Sequence, residues 1–186
     1  TERDGLEGQL AELRPLAAFA RSRVFDMLFR TAWATLATFA ESRLSGTVGA
    51  LLVLHTWTRK LEFHPHIHAI VTGGALSLDD TAWCPAQRAF LFPVKAMSRI
   101  FSAKMLAALR CAYRDGHFDG FDDFSDPEGF ARLSRSIAKL SWHVYAKPTF
   151  SRGAHVLEYL GRYTHRVGLA NSRILDVTSD AITFRT

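Results

Sequence analysis

The chain of 186 residues predicts an α+β fold, an antiparallel sheet covered by helices. Two long segments repeat apolar residues every three or four positions, the period of an amphipathic helix. Short β-rich runs lie among the helical segments, and most are joined by links of hairpin length, which favours antiparallel pairing. No internal repeat, low-complexity tract or linker divides the chain, so one domain over residues 1–186 is expected.

After a polar start, "AELRPLAAFARSRVFDMLFRTAWATLATFAESRL" reads as a helix, with Phe25, Leu28, Phe29, Ala32, Trp33, Leu36 and Phe39 forming its apolar stripe. Gly46 and Gly49 introduce the strand "ALLVLHTW", and the polar "TRKLE" links it to a second strand, "FHPHIHAIV". "TGGALSLDD" reads as a turn-rich loop and "AFLFP" as a short strand. The next helix runs from about Val94 to Arg114, with Met97, Ile100, Phe101, Leu106 and Leu109 inward, Lys95, Arg99, Lys104 and Arg110 outward, and Gly116 as its stop. Pro127 opens a shorter helix, "PEGFARLSRSIAKL", and "WHVYA" reads as a strand. Helix "AHVLEYLGRY" and a hairpin from "SRILDV" to "AITFR" across "TSD" complete the order.

The hydrophobic share of 48% and the charged share of 22% are those of a soluble globular protein. A net charge of +5 fits a polyanion partner without requiring one. Cys84 and Cys111 are the two cysteines, with no CxxC, which argues against a disulfide framework or a cysteine zinc site. No apolar run reaches the length of a membrane span, and "TERDGLEGQL" is unlike a secretory signal, so a cytoplasmic location is expected.

In "FHPHIHAIV" the alternation of a strand sends Glu62, His64, His66 and His68 to one face and Phe63, Ile67 and Ala69 to the core. Pro65 cannot donate to a ladder and implies an edge, a bulge or a strand start. His66 and His68 flank a buried aliphatic, a pattern that suits ligands of a first-row metal. Two ligands hold a metal poorly, so a third is needed. A register pairing His55 with His66 or His68 brings its imidazole to the same face, with Cβ atoms about 5 Å apart. His64 and Glu62 are the fallback ligands. Imidazoles alone suit zinc as a static site, and equally Mg²⁺ or Mn²⁺ if a phosphate and waters complete the shell.

"EYLGRYTHR" places Tyr159 and Tyr163 four apart, neighbours on one helix face about 6 Å from each other. Half-buried packing rings are the ordinary explanation of such a pair. Arg162, His165 and Arg166 surround it, and Gly161 weakens the helix with no packing return. A tyrosine phenol is a weak nucleophile near neutral pH and needs an activated electrophile or nearby cations. A metal on a phosphodiester, with arginines beside the ring, supplies both.

The two motifs together, a His-hydrophobe-His strand followed by a Tyr-xxx-Tyr helix, resemble the two-tyrosine branch of the HUH endonuclease superfamily. The chain is most similar to rolling-circle insertion-sequence transposases of the ISCR-related family, through "ELRPLA", "VLHTW", "LEFHPHIHAIV", "FLFPVKAMSRIF", "AKMLAALR", "YAKPTF", "YLGRYTHRV" and "ITFR". The resemblance implies a ferredoxin-like (RRM-like) antiparallel sheet with the HUH pair on a central strand. It implies metal-dependent cleavage of single-stranded DNA at element ends and strand transfer through covalent 5′-phosphotyrosine intermediates. By position, His66 and His68 become the HUH ligands and Tyr159 and Tyr163 the nucleophiles, with Mg²⁺ or Mn²⁺ as the expected ion and no small-molecule cofactor. Candidate DNA contacts are Lys95, Arg99, Lys104, Lys147, Arg162 and Arg166. Members of that family usually begin with a cysteine-rich zinc-binding segment and a first strand and continue beyond "TFR", so a copy truncated at both ends is the expectation. That leaves two further readings: a catalytically inactive DNA-binding remnant, and a His-ligated hydrolase acting on a small molecule.

Overall fold

A computed structural model of the chain describes residues 16–17, 20–58, 60–86, 92–121, 124–140, 142–146, 161 and 171–185. The described elements form an α+β structure in which every sheet whose pairing is resolved is antiparallel. In chain order they are α1 (Arg21–Leu44), β1 (Gly46–Thr47), β2 (Ala50–Trp57), β3 (Phe63–Val71), β4 (Gly74–Ser77) and β5 (Trp83–Pro85). Then follow α2 (Val94–Arg114), α3 (Pro127–Lys139), a 3₁₀ turn at Asn171–Arg173, β6 (Ile174–Val177) and β7 (Ile182–Phe184). The strands join as β1-β4-β5, β2-β3 and β6-β7. The chain divides into two compact units, Thr1–Leu52 with Ala69–Thr149, and Val53–His68 with Phe150–Thr186.

In the first unit α1 packs against α2, and α2 against α3. The buried face of α1 is Val24, Met27, Leu28, Thr31, Thr35, Leu36, Phe39 and Ala40. This face is rotated from the stripe expected through Phe25, Phe29 and Trp33; Trp33 is 41% exposed. Two threonines occupy the seam in place of aromatics because they are small and their hydroxyls can be satisfied locally. Thr35 donates to the Thr31 carbonyl at 2.7 Å, and Thr31 donates to Met105 Sδ at 3.8 Å. Met105 is fully buried (0% exposed) on α2, so Met105→Ala removes packed atoms and leaves a cavity. Urea unfolding of that variant is expected to show a loss of about 2–5 kcal/mol with an unchanged slope.

A second cluster joins Leu36, Phe39 and Ala40 of α1 to Val48, Ala75 and Phe92, with Met97 and Ile100 of α2 packed on it. The Phe39 and Phe92 rings lie 5.5 Å apart. Here "TGGALSLDD" departs from the expected loop, because its central residues form β4, the middle strand of β1-β4-β5. Glycine permits the close strand approach. A Cβ at Gly74 would lie 2.6 Å from the Cys84 carbonyl oxygen, and one at Gly46 would clash with the Leu76 carbonyl. The β4–β5 turn is held by Asp79, whose carboxylate accepts from the Ser77 and Thr81 hydroxyls at 2.6 and 2.9 Å. Those bonds, Ser77's first, lower its pKa.

Helix α2 has the expected bounds, and Gly116 follows it at φ +72°. Helix α3 begins as expected at Pro127, with Asp126 as its cap. The Asp126 carboxylate accepts from Gly129 N at 2.9 Å and Glu128 N at 2.8 Å, and these bonds, Gly129's first, hold its pKa below the ordinary value. The folded state therefore binds this proton less readily than the unfolded chain. The stabilisation is present above the ordinary carboxylate value and is lost as pH falls through the lowered one. Asp126→Ala is expected to reduce the thermal midpoint at neutral pH. The gap to the parent protein should close on acidification.

"WHVYA" is irregular rather than a strand over its described residues 142–146. Trp142 is buried there with its ring 4.9 Å from Phe101, and Ser98 donates its hydroxyl to the Trp142 carbonyl. Packing and side-chain bonding to α2 take the place of a ladder. Most of "AFLFP" lies outside the described residues, and its final Phe92 and Pro93 are not in a strand.

In the second unit the β6–β7 hairpin forms as expected. Thr178 closes its turn, its N–H donating to the Ala181 carbonyl at 2.9 Å. The Arg173 guanidinium sits 5.5 Å from the Phe184 ring and donates to the Arg185 carbonyl at 2.8 Å. Among the described residues, no helix is long and apolar enough to cross a membrane.

Candidate metal centre on the histidine hairpin

Strands β2 and β3 hydrogen-bond to one another and, among the described residues, to no third strand. At the open end, Thr72 N–H donates to the Gly49 carbonyl at 2.9 Å and the Thr72 hydroxyl accepts from Gly49 N–H at 3.0 Å. Counting inward from that pair follows the register in which His55 lies opposite His66, one of the two that bring its imidazole to the same face. At the turn end, Thr58 N–H donates to the Glu62 carbonyl at 2.9 Å, and Leu61 takes the left-handed turn position at φ 64°. Counting from this end falls one residue short, so β3 carries one residue more than β2 between the two ends. Pro65, with no N–H to give, lies in that interval and is buried.

Burial along β3 departs from the expected core face. Ile67 is half-buried and Ala69 is exposed, whereas both were expected in the core. Among the described residues no third strand adjoins this ribbon to help cover a face, and its apolar positions are partly open.

The hairpin nevertheless gathers the three imidazoles. His55, His66 and His68 each offer a ring nitrogen, these nitrogens all lie within 4.8 Å of one another, and the three residues are half-buried. Ring centroids are 4.4 Å apart for His55 and His68, 4.9 Å for His66 and His68, and 5.4 Å for His55 and His66. His66 Nδ1 is 2.7 Å from the His64 carbonyl oxygen. A carbonyl only accepts, so Nδ1 carries the proton and Nε2 keeps the lone pair. That arrangement is how a protein orients an imidazole for a metal, and the donor set fits a divalent first-row cation.

His64 and Glu62 stand outside the group of three. The His64 ring lies 5.1 Å from that of His66, and the Glu62 carboxylate accepts from the Thr58 hydroxyl at 3.1 Å. The backbone carbonyl of His64 thus touches the site directly, a role that residue types alone do not reveal. The proline that follows was its one sequence signal.

Tyr159, Tyr163, Lys147, Arg162 and Arg166 lie outside the described residues. Gly161, between the tyrosines in sequence, is helical and exposed, and a Cβ there would meet nothing within 4 Å. On α2, Lys95 and Arg99 are exposed and one helical turn apart, a stripe that Arg110 continues; Lys104 is half-buried and lies off that face.

An antiparallel α+β chain with three imidazoles converging on one hairpin defines a candidate metal-binding protein. Sequence comparison narrows this class. The chain belongs to the Y2_Tnp family, described as "Putative transposase", whose profile matches residues 49–186 and so takes in the entire histidine hairpin. It is 38% identical over 170 residues to "Putative transposase y4qJ" of Sinorhizobium fredii, an alignment covering 89% of this chain and 43% of that protein. It is 27% identical over 171 residues to "Transposase for insertion sequence element IS801" of Pseudomonas savastanoi pv. phaseolicola, covering 85% of this chain and 38% of that protein. The chain therefore spans less than half the length of either relative. No solved structure matches it.

Proposed function

We propose that this chain carries out metal-dependent cleavage and strand transfer on single-stranded DNA, as the catalytic part of a rolling-circle transposase. The observation that carries the reading is the convergence of His55, His66 and His68 within a region matched to a transposase family. His55, His66 and His68 would hold Mg²⁺ or Mn²⁺, with the His64 carbonyl orienting His66. A cation bound there polarises a phosphoryl oxygen and offsets the negative charge that develops on it.

The phenol oxygen of Tyr159 or Tyr163 attacks the scissile phosphorus. A Tyr–O–P bond forms, the P–O3′ bond breaks, and the 3′ oxygen leaves as a hydroxyl, gaining a proton while the phenol loses one. The 5′-phosphotyrosine ester conserves the energy of the broken phosphodiester, so a free 3′-OH or the second tyrosine can resolve it without ATP. Arg162 and Arg166 lie within three residues of Tyr163 in sequence and would steady the phenolate. Lys95, Arg99 and Lys147 would contribute phosphate contacts, which carry affinity and its salt dependence but no sequence information, whereas Lys104 lies off that face.

The test is incubation of the chain with end-labelled, randomised single-stranded DNA and MnCl₂, followed by a denaturing gel. A shortened DNA product and an SDS-stable protein–DNA band are expected. Salt-sensitive DNA binding without the stable band would restrict the function to DNA binding. No binding at all would remove DNA as the substrate.

A further inference from the structure

Trp57 ends β2 two residues beyond His55, so strand alternation sets both side chains on one face, about 7 Å apart along the strand. Its indole is 48% exposed. A lone exposed aromatic needs no explanation, but three features distinguish this one. The Phe63 ring meets it edge-to-face, with centroids 6.4 Å apart and planes at 75°. This contact braces the indole without stacking the two rings, so much of its surface stays open to a flat partner. The surrounding segment, residues 53–68, contains Arg59, Lys60 and four histidines against a single carboxylate, Glu62. That carboxylate already accepts from Thr58, while Lys60 is exposed at the tip of the turn. The third feature is the neighbouring imidazole cluster itself.

We propose that Trp57 is a base-stacking platform for single-stranded nucleic acid, holding a base beside the backbone phosphate addressed by His55, His66 and His68. The inference deepens the function proposed above and rests on it for the polarity of the strand. The stacking contact itself requires only an exposed ring in a cationic setting. Every base has a π-face, so the contact is sequence-tolerant and suits a site that must hold a strand before chemistry.

The discriminating experiment compares fluorescein-labelled oligothymidylate with an abasic oligonucleotide of equal length, which has the same phosphates and no bases. Binding is read by fluorescence anisotropy of the 186-residue chain in EDTA. Trp57→Ala is expected to weaken oligothymidylate binding about five- to hundredfold, the range for loss of one stacked base, and to leave abasic binding unchanged. Trp57→Phe should recover much of the loss. Equal weakening on both oligonucleotides, no weakening on either, or no oligothymidylate binding by the parent protein would overturn the proposal. If Trp57→Ala does not fold, tryptophan emission reads the same contact. Quenching by oligothymidylate should be present in the parent protein and reduced in Trp57→Phe, and undiminished quenching overturns the assignment. Because EDTA removes divalent ions, failure of the histidine cluster to bind Mn²⁺ leaves this result intact. A negative stacking result likewise leaves the metal assignment standing.

Discussion

Replacing His66 by alanine is expected to reduce Mn²⁺ affinity by about a hundredfold or more and to remove the SDS-stable DNA band. Loss of a residue that merely orients a ligand costs ten- to a hundredfold in affinity, and loss of the ligand itself should reach or exceed that range. His68→Ala and His55→Ala should behave alike, since the three ring nitrogens form one group within 4.8 Å. His64→Ala is the informative contrast. The group that touches His66 is the His64 backbone carbonyl, 2.7 Å from Nδ1, and alanine retains it. Isothermal titration with Mn²⁺ should therefore show a much smaller loss for His64→Ala than for the other three. An equal loss would make the His64 ring a ligand, and unchanged affinity in all four variants would dismiss the metal centre. Thermal midpoints measured without metal separate these outcomes from misfolding.

The second large effect is expected at the tyrosines. Phenylalanine keeps the ring and removes the phenol oxygen, so packing is preserved while the nucleophile is lost. The Tyr159→Phe, Tyr163→Phe double variant should form no covalent adduct, a fall of about a thousandfold or more, the scale on which nucleophile deletions act. Each single variant should retain part of the reaction if the two phenols act in succession. One inert and one unaffected single variant would assign the attack to one tyrosine. Undiminished adduct in the double variant would exclude both. Mn²⁺ affinity should be unchanged throughout, which places this loss at a different step from that of the histidine variants.

Much of the architecture is legible in the sequence. Long periodic segments and strong punctuation specify themselves locally, so α2 ends before Gly116, α3 opens on Asp126 and Pro127, and β2 occupies all of "ALLVLHTW". Sequence and structure differ where a residue's fate depends on a distant partner. The buried face of α1 is set by α2, which accepts Thr31 beside Met105 while Trp33 stays exposed. Strand β4 exists because β1 and β5 lie on either side of it and glycines permit the approach, whereas "TGGALSLDD" on its own has the composition of a loop.

The histidine site divides along the same line. Sequence by itself determined which residues are capable of the chemistry, because imidazole spacing on a strand and phenol spacing on a helix are periodic, local properties. It also determined that His55 needed one of two registers to join His66 and His68. Tertiary structure decided that the three rings converge, that β3 carries one residue more than β2 between the two ends of the hairpin, and that the His64 carbonyl fixes the His66 proton on Nδ1. Register and bulge are properties of a pair of strands, and hydrogen bonds formed across the hairpin, rather than the composition of either strand, select them.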